Sequence, residues 1–162
     1  MKILGFAALF FIAVAAALLV AGQIGLLTGR TPKNLGVQDG RLKPPSQTPN
    51  SVSSQADLYP DHPQKDYARI APFQFSGDGE KAMARLAEIL KQSDRTVVVT
   101  QEAGYLYAQC TTKLLKFTDD IEFWLDKSAG VIHVRSASRL GRKDFNVNRE
   151  RVESIRAQFT TN

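Results

Sequence analysis

The sequence is short of the residues on which most metal and redox sites depend. Its 162 residues include one Cys and two His. A single Cys excludes a disulfide within the chain and any zinc site built from several thiolates. The sequence also contains no Gly-rich phosphate loop, no Ser or Cys nucleophile motif and no His-rich metal motif. We therefore expect neither a metal nor another cofactor.

A large excess of one charge is also absent, because the sequence has 21 Lys and Arg residues against 16 Asp and Glu residues. The net charge of +5 is spread along the chain. Apolar residues make up 43% and charged residues 23%, which is typical of a folded globular protein. At roughly 150 residues per domain, the length predicts one domain with additional segments.

The first 29 residues form a separate apolar segment. No residue between Ile3 and Gly29 is charged, and about 20 apolar residues span ~30 Å of hydrocarbon as a helix. Lys2 supplies the basic start of a signal sequence, and several alanines would permit cleavage. However, cleavable signals have apolar regions of only ~7–15 residues. We expect an uncleaved anchor that contacts the membrane through residues 3–27, with a cleaved signal as the alternative.

The orientation of this anchor depends on two opposing signals. Four basic residues lie after it, and the positive-inside rule would keep the rest of the chain in the cytoplasm. The short basic N-terminus is instead typical of a signal that exports the rest of the chain. We expect a bacterial-type inner-membrane protein whose domain faces the periplasm or the cell exterior. A cleaved and exported domain is the alternative.

All seven prolines lie within residues 30–72. Proline fixes φ and lacks a backbone donor, so this segment predicts neither a helix nor a central strand. We call it the strap. It is either a flexible linker or an extended segment packed along the domain. The apolar residues that would hold a packed strap in place are Leu42, Val52, Leu58, Tyr59 and Ile70.

Residues 73–162 have the periodicity of regular secondary structure. A helix capped by Ser76 and ending near Gln92 has an apolar stripe formed by Met83, Leu86, Ala87 and Leu90. Four strands come next, over 96–100, 105–112, 117–126 and 131–139. A last helix over 148–159 has an apolar stripe formed by Val152, Ile155 and Phe159.

This order predicts an α+β fold. Strands joined by short turns are antiparallel, and each helix has one apolar stripe to bury. We therefore expect a four-stranded antiparallel sheet flanked by two helices, in the order helix, four strands, helix. The predicted organisation is an anchor or signal over 1–29, a Pro-rich strap over 30–72 and an α+β domain over 73–162.

The turn at residues 127–130 fixes the register of the last two strands. A loop of even length places Phe123 opposite Val134 and Glu122 opposite Arg135, whereas an odd length would turn Arg135 to the apolar face. We expect the Glu122–Arg135 pair to be exposed. In this register one face of the hairpin bears Asp120, Glu122, Arg135 and Arg139. The opposite face bears Asp119, Ser136 and Ser138 beyond its apolar residues.

Several spaced blocks resemble a known family. They are Phe-Thr-Asp-Asp-Ile-Glu-Phe at 117–123, His-Val-Arg-Ser-Ala-Ser-Arg-Leu-Gly at 133–141, Asp144, Val-Asn-Arg at 147–149, and Arg151. Upstream blocks are Gly-Val-Gln-Asp-Gly-Arg-Leu at 36–42 and Asn-Ser-Val-Ser-Ser-Gln at 50–55. Over residues 36–156 the chain resembles the domain-of-unknown-function family 1499, of uncharacterised membrane-associated or exported proteins. The resemblance implies that the strap belongs to the domain, and it implies no activity. Where the family commonly has Cys, this chain has Ser51, so thiol chemistry there is excluded.

The candidate ligand-binding residues combine carboxylates with basic and polar side chains. They are Asp119, Asp120, Glu122, Arg135, Ser136, Ser138, Arg139, Asn148 and Arg151. Paired carboxylates can act as acid and base or bind a hard cation, but opposed arginines favour ion pairs. The basic residues could hold a phosphate or carboxylate, helped by the amides that open the last helix, or touch anionic lipid headgroups. An exported domain rarely meets nucleic acid, so we expect no nucleic-acid partner.

Two further residues have simpler explanations. His133 lies opposite Trp124 in the expected register, which predicts a cross-strand aromatic contact. Cys110 lies on a predicted strand, where a lone Cys usually behaves as a small buried apolar residue.

The sequence thus predicts a membrane-tethered envelope domain that binds a partner without catalysis. Its partner would be an envelope protein or an anionic ligand. The first alternative is an enzyme that acts on a small anionic substrate through Asp120, Glu122, Arg135 and Arg139. The second is a carrier that holds an apolar ligand between sheet and helices.

Overall fold

A computed structural model of the chain describes residues 2–160, with side chains from residue 5 onward. The described residues form four α-helices and one turn of 3-10 helix at Ala56–Leu58. The α-helices are α1 (Lys2–Gln23), α2 (Lys65–Ala68), α3 (Gly79–Gln92) and α4 (Val147–Thr160). The fold is α+β, as the sequence predicts.

One antiparallel sheet of six strands organises the domain. The strands are β1 (Ser51–Ser53), β2 (Phe73–Gln74), β3 (Thr96–Gln101), β4 (Tyr105–Thr111), β5 (Thr118–Asp126) and β6 (Val131–Ser138). Their order is β1-β6-β5-β4-β3, and β2 also pairs with β6.

The prediction of four strands is therefore wrong. The two additional strands are three and two residues long and pair with the outer side of β6. Strand β1 lies in the proline-free interval between Pro49 and Pro60, and strand β2 comes directly after Pro72. Proline is compatible with the margins of an edge strand, because no ladder hydrogen bond is lost there.

The predicted register of the β5–β6 hairpin is confirmed. Phe123 lies opposite Val134, and Glu122 lies opposite Arg135. Since successive strand residues alternate between faces, one face of β5 and β6 turns to the helices and the other turns to the strap.

Helices α3 and α4 cover one face of the sheet and close the hydrophobic core. Both predicted apolar stripes are buried. The ring of Phe73 packs edge-to-face on Phe123 at 5.4 Å and on Phe159 at 5.6 Å. The predicted cap Ser76 is wrong, because Asp78 accepts hydrogen bonds from the first amides of α3.

The first part of the strap packs against the opposite side of the sheet, through contacts such as those of Gly36 with Glu122 and of Pro44 with Arg135. Its later residues Val52 and Ile70 instead belong to the core on the helix side. Leu42, Val52 and Ile70 are buried as expected, whereas Leu58 is exposed because it ends the 3-10 turn on the solvent side. The side chain of Gln55 fixes the course of the strap, since it accepts a hydrogen bond from the Leu42 amide at 2.8 Å. The strap of this domain is thus a packed segment rather than a flexible linker.

Helix α1 projects from the domain, and from Gly5 onward nearly all of its residues are exposed. Its stretch Gly5–Gln23 has 19 residues and a mean hydropathy of 2.5, which is long and apolar enough to cross a membrane. Membrane anchors and signal sequences share this length and composition.

Candidate functional site

The nine candidate residues fall into two groups on opposite faces of the sheet. Asp119, Ser136, Ser138, Asn148 and Arg151 lie on the helix side, where α4 packs on β6. Asp120, Glu122, Arg135 and Arg139 lie on the strap side. The sheet separates the two groups, so the nine residues do not form a single site.

On the helix side, Asn148 is the centre of a buried polar network. Its Oδ1 accepts hydrogen bonds from Ser136 Oγ at 2.6 Å and Arg151 Nη1 at 2.8 Å. Its Nδ2 donates to the Asn50 carbonyl at 3.1 Å, to Ser138 Oγ at 3.0 Å and to Asp144 Oδ2 at 2.9 Å. We call these residues the Asn148 network, together with Asp119, whose carboxylate accepts from Arg151 Nη2 at 2.6 Å.

Asp144 occupies the start of α4. Its carboxylate accepts hydrogen bonds from the Asn148 amide at 3.1 Å and from the Tyr67 hydroxyl. Burial raises the pKa of Asp144, but the hydrogen bonds from Tyr67 and Asn148 outweigh it and lower the pKa overall. Burial and the neighbouring Asp144 raise the pKa of Tyr67 to about 12. The Asn148 amide near the start of α4 therefore already has an anionic partner within the chain. The expected help of the opening amides in holding a ligand remains a prediction.

On the strap side, Asp120 is neutralised by its neighbours. Arg139 donates to both carboxylate oxygens, through Nε at 2.9 Å and through Nη2 at 2.7 Å. The Tyr107 hydroxyl donates to the same carboxylate at 2.6 Å. The hydrogen bond to Asp120 raises the pKa of Arg139, and burial followed by the bond to Asp120 raises the pKa of Tyr107. Two-point pairing of this kind fixes both charges in position.

Glu122 is fully buried at 0% exposure beneath the strap. Its Oε1 accepts hydrogen bonds from the Gly36 amide at 2.7 Å and from the Tyr105 hydroxyl at 2.8 Å. Its Oε2 accepts none from a described residue and lies 3.8 Å from Arg135 Nη1. The expectation of an exposed pair is therefore wrong, because the strap covers both side chains.

Arg135 is only 4% exposed, and its guanidinium has few partners. Nε donates to the Pro44 carbonyl at 3.2 Å, and the Nη atoms donate no hydrogen bond to a described residue. Burial lowers the pKa of Arg135, while Glu122 and Asp120 raise it. A guanidinium keeps its charge at neutral pH in any such environment.

A cleft of about 530 Å³ lies between the strap and this face of the sheet. Its charged walls are Arg30, Lys43, Asp120, Arg135 and Arg139. Segment 44–47 completes the strap side. Because Asp120 is paired with Arg139, the cleft retains an excess of positive charge.

Sequence reasoning missed the strap's contribution to this cleft. Arg30 and Lys43 precede Arg135 by 105 and 92 residues, and no local pattern associates them with it. Tyr105 and Tyr107 could have been recognised as neighbours of the site, since alternation along β4 places both on one face of the sheet. Pairing of β4 with β5 sets Tyr107 opposite Glu122.

Other chemistry-bearing residues lie outside the cleft. No group of three or more His, Cys, Asp or Glu residues in the described part of the chain is arranged to hold a metal. Cys110 is buried, and burial raises the pKa of its thiol. His133 stacks on Trp124 with ring centroids 5.4 Å apart, as the register predicts.

The fold and cleft define an α+β domain with an N-terminal apolar helix and a basic cleft beneath a proline-rich strap. The family model described as "Protein of unknown function (DUF1499)" matches residues 41–159, and the chain belongs to this family. The resemblance inferred from the sequence blocks is thereby confirmed. No curated protein and no solved structure matches the chain.

Proposed function

We propose that the protein is a membrane-tethered binding module that holds a small anion, such as a phosphate or carboxylate group, in the basic cleft. The observation that carries this proposal is that Arg135 is buried but has few hydrogen-bond partners. Its charge is almost completely buried, yet its Nη atoms lack hydrogen-bond partners among the described residues at the wall of a cleft. These donors face the cleft, where a bound anion would supply the hydrogen-bond partners that the protein does not.

The surroundings of Arg135 favour an anion over other ligands. Lys43 and Arg30 line the same cleft from the strap, so three cationic groups border one space. Hydrogen bonds between guanidinium or ammonium groups and an oxyanion are about twice as strong as neutral ones. Glu122 offsets part of the positive charge of Arg135, but its carboxylate lies beyond hydrogen-bond distance of the guanidinium. The guanidinium therefore remains available to a ligand.

Binding is a better account than catalysis, because neither carboxylate is placed to move a proton. Asp120 is held by Arg139 and Tyr107. Glu122 is buried beside the cleft with Oε1 doubly hydrogen-bonded. A general base must come within hydrogen-bond distance of the proton that it removes.

A carrier of apolar ligands is disfavoured by the packing of the core. The space between sheet and helices is filled by the two helix stripes and by the edge-to-face contacts of Phe73 with Phe123 and Phe159. An apolar ligand there would have to displace close-packed side chains.

The location is part of the proposal. We infer that α1 anchors the protein in the inner membrane, on the strength of the apolar stretch Gly5–Gln23. We further infer that the domain faces the periplasm or the cell exterior, because a short basic N-terminus before an apolar stretch is typical of export signals. Alkaline carbonate washing should leave the full-length protein in the membrane pellet. Release of the domain with an N-terminus beyond Ala17 would contradict the anchor and indicate cleavage.

Calorimetric titration of the detergent-solubilised full chain with inorganic phosphate tests the cleft. Lys43→Gln should weaken binding by about three- to tenfold, since one charge contact is worth roughly 1 kcal/mol at a partly exposed site. The matched control is Arg41→Gln, two residues away on the same strap, exposed and outside the cleft. Equal effects of the two substitutions, or no binding by the unaltered chain at millimolar phosphate, would overturn the proposal.

A further inference from the structure

The end of α1 is attached to one particular end of the domain. Gln23 Nε2 donates to the Leu114 carbonyl at 3.2 Å in the loop between β4 and β5. Gly22 lies so close to this loop that an added Cβ would be 2.5 Å from the Leu115 carbonyl oxygen. The apolar helix therefore leaves the domain directly beside this loop.

A second loop lies at the same end of the sheet. The Arg139 amide, just after β6, donates to the carbonyl of Thr118 at the start of β5. The loop between β6 and α4 is thus adjacent to the loop between β4 and β5. Gly29 confirms this arrangement from the side of α1, since an added Cβ there would meet Arg139 and Leu140.

Both loops expose apolar and basic side chains together. Leu114 is 65% exposed and Phe145 is 84% exposed. Lys113, Arg142 and Lys143 are exposed beside them, and none of the three forms a salt bridge with a described residue. Exposed apolar side chains on the same loops as unpaired cations are typical of surfaces that contact anionic lipid.

The length of α1 sets the depth of these loops. The 19 residues of Gly5–Gln23 rise about 28 Å as a helix, which matches the ~30 Å hydrocarbon core of a bilayer. Gln23 then lies at the boundary between hydrocarbon and headgroups. Leu114 is hydrogen-bonded to Gln23 through its carbonyl and must lie at nearly the same depth.

We infer that these two loops form a membrane-docking surface, in which Leu114 and Phe145 enter the bilayer interface and Lys113, Arg142 and Lys143 contact anionic headgroups. The occupant is the leaflet from which α1 emerges. This inference rests on the proposed membrane anchor and is independent of the anion-binding cleft. The domain is thereby held in a fixed orientation on the membrane instead of moving freely on a tether.

Tryptophan quenching by brominated lipids tests the surface. The full chain with Trp124→Phe is placed in nanodiscs of anionic phosphatidylglycerol and phosphatidylcholine, and single tryptophans replace Leu114, Phe145 or Ala129. Ala129 is the matched control, because it is exposed on the β5–β6 turn at the opposite end of the sheet. Leu114→Trp and Phe145→Trp should lose fluorescence when the lipids are brominated, and Ala129→Trp should not.

The outcomes separate the anchor from the docking surface. A chain that elutes apart from the nanodiscs would contradict the anchor and the surface together. A chain that stays in the discs while all three tryptophans are equally unquenched would overturn the docking surface alone. Weaker quenching of Phe145→Trp in discs of pure phosphatidylcholine would support the role of the basic residues, and unchanged quenching would overturn it.

Discussion

Substitutions of Glu122 and Arg135 test whether these two buried charges stabilise each other beneath the strap. Arg135→Met keeps much of the side-chain volume but leaves the Glu122 carboxylate buried without its cation. Removing one partner of a buried ion pair typically costs about 3–5 kcal/mol. We expect a loss of unfolding free energy in this range, because Glu122 is fully buried and its Oε2 has no other partner among the described residues.

The second substitution, Glu122→Gln, should cost less. A Gln side chain can still accept the hydrogen bonds that Gly36 and Tyr105 donate to Oε1. Arg135 would then keep an unpaired charge, but it lines the cleft and is partly relieved by solvent. We expect a cost of about 1–3 kcal/mol. The double variant contains neither charge and should be more stable than Arg135→Met alone by about 1–2 kcal/mol.

Urea unfolding of the full chain in detergent, monitored through Trp124 on β5, measures these values. Asp57→Asn is a control, since the Asp57–Arg69 pair is exposed and its loss should hardly move the midpoint. A double variant as unstable as the sum of the two single variants would show that the charges do not interact, and the description of this pair would be wrong.

The structure leads to three more expected outcomes. Asn148→Ala should destabilise the domain by about 2–4 kcal/mol in urea unfolding, since it leaves several buried partners unsatisfied; a loss below about 1 kcal/mol would contradict the Asn148 network. Burial lowers the pKa of His133 from 6.5 against an opposing effect of Asp126, so the unfolded chain binds the proton more readily. The contribution of His133 to the free energy of unfolding should therefore be complete above pH 6.5 and fall as the pH drops below it. Thermal melts of His133→Asn at several pH values should show a weaker dependence on pH. Proteinase K should cut within 30–33 before 50–55, because β1 lies in the sheet; equal rates would contradict the packed strap.

The sequence was sufficient for the parts of the fold that depend on local patterns. The register of Glu122 against Arg135 could be derived from an even turn and from the need to keep charge off the apolar face. Strands β1 and β2 were missed because two or three residues contain too little alternation to be recognised. The cap of α3 was misplaced by two residues, since Ser76 and Asp78 are both good caps and only the backbone decides between them.

The candidate site was harder to predict for a physical reason. The sequence placed Arg135 on the correct face, but its burial depends on the strap. The Pro44 carbonyl that covers it lies 91 residues earlier in the chain. Likewise, alternation was enough to separate Asp119 from Asp120, whereas the contact of Arg151 with Asp119 required the docking of α4.

The most direct test of the anion-binding cleft is to locate an anion in it. A crystal structure of the full chain grown with selenate would reveal the anion by the anomalous scattering of selenium. We expect a selenate within hydrogen-bond distance of the Arg135 Nη atoms and of Lys43 Nζ, and no selenate in crystals of Arg135→Gln. Selenate bound only at exposed basic residues, with none beside Arg135, would contradict the proposed function.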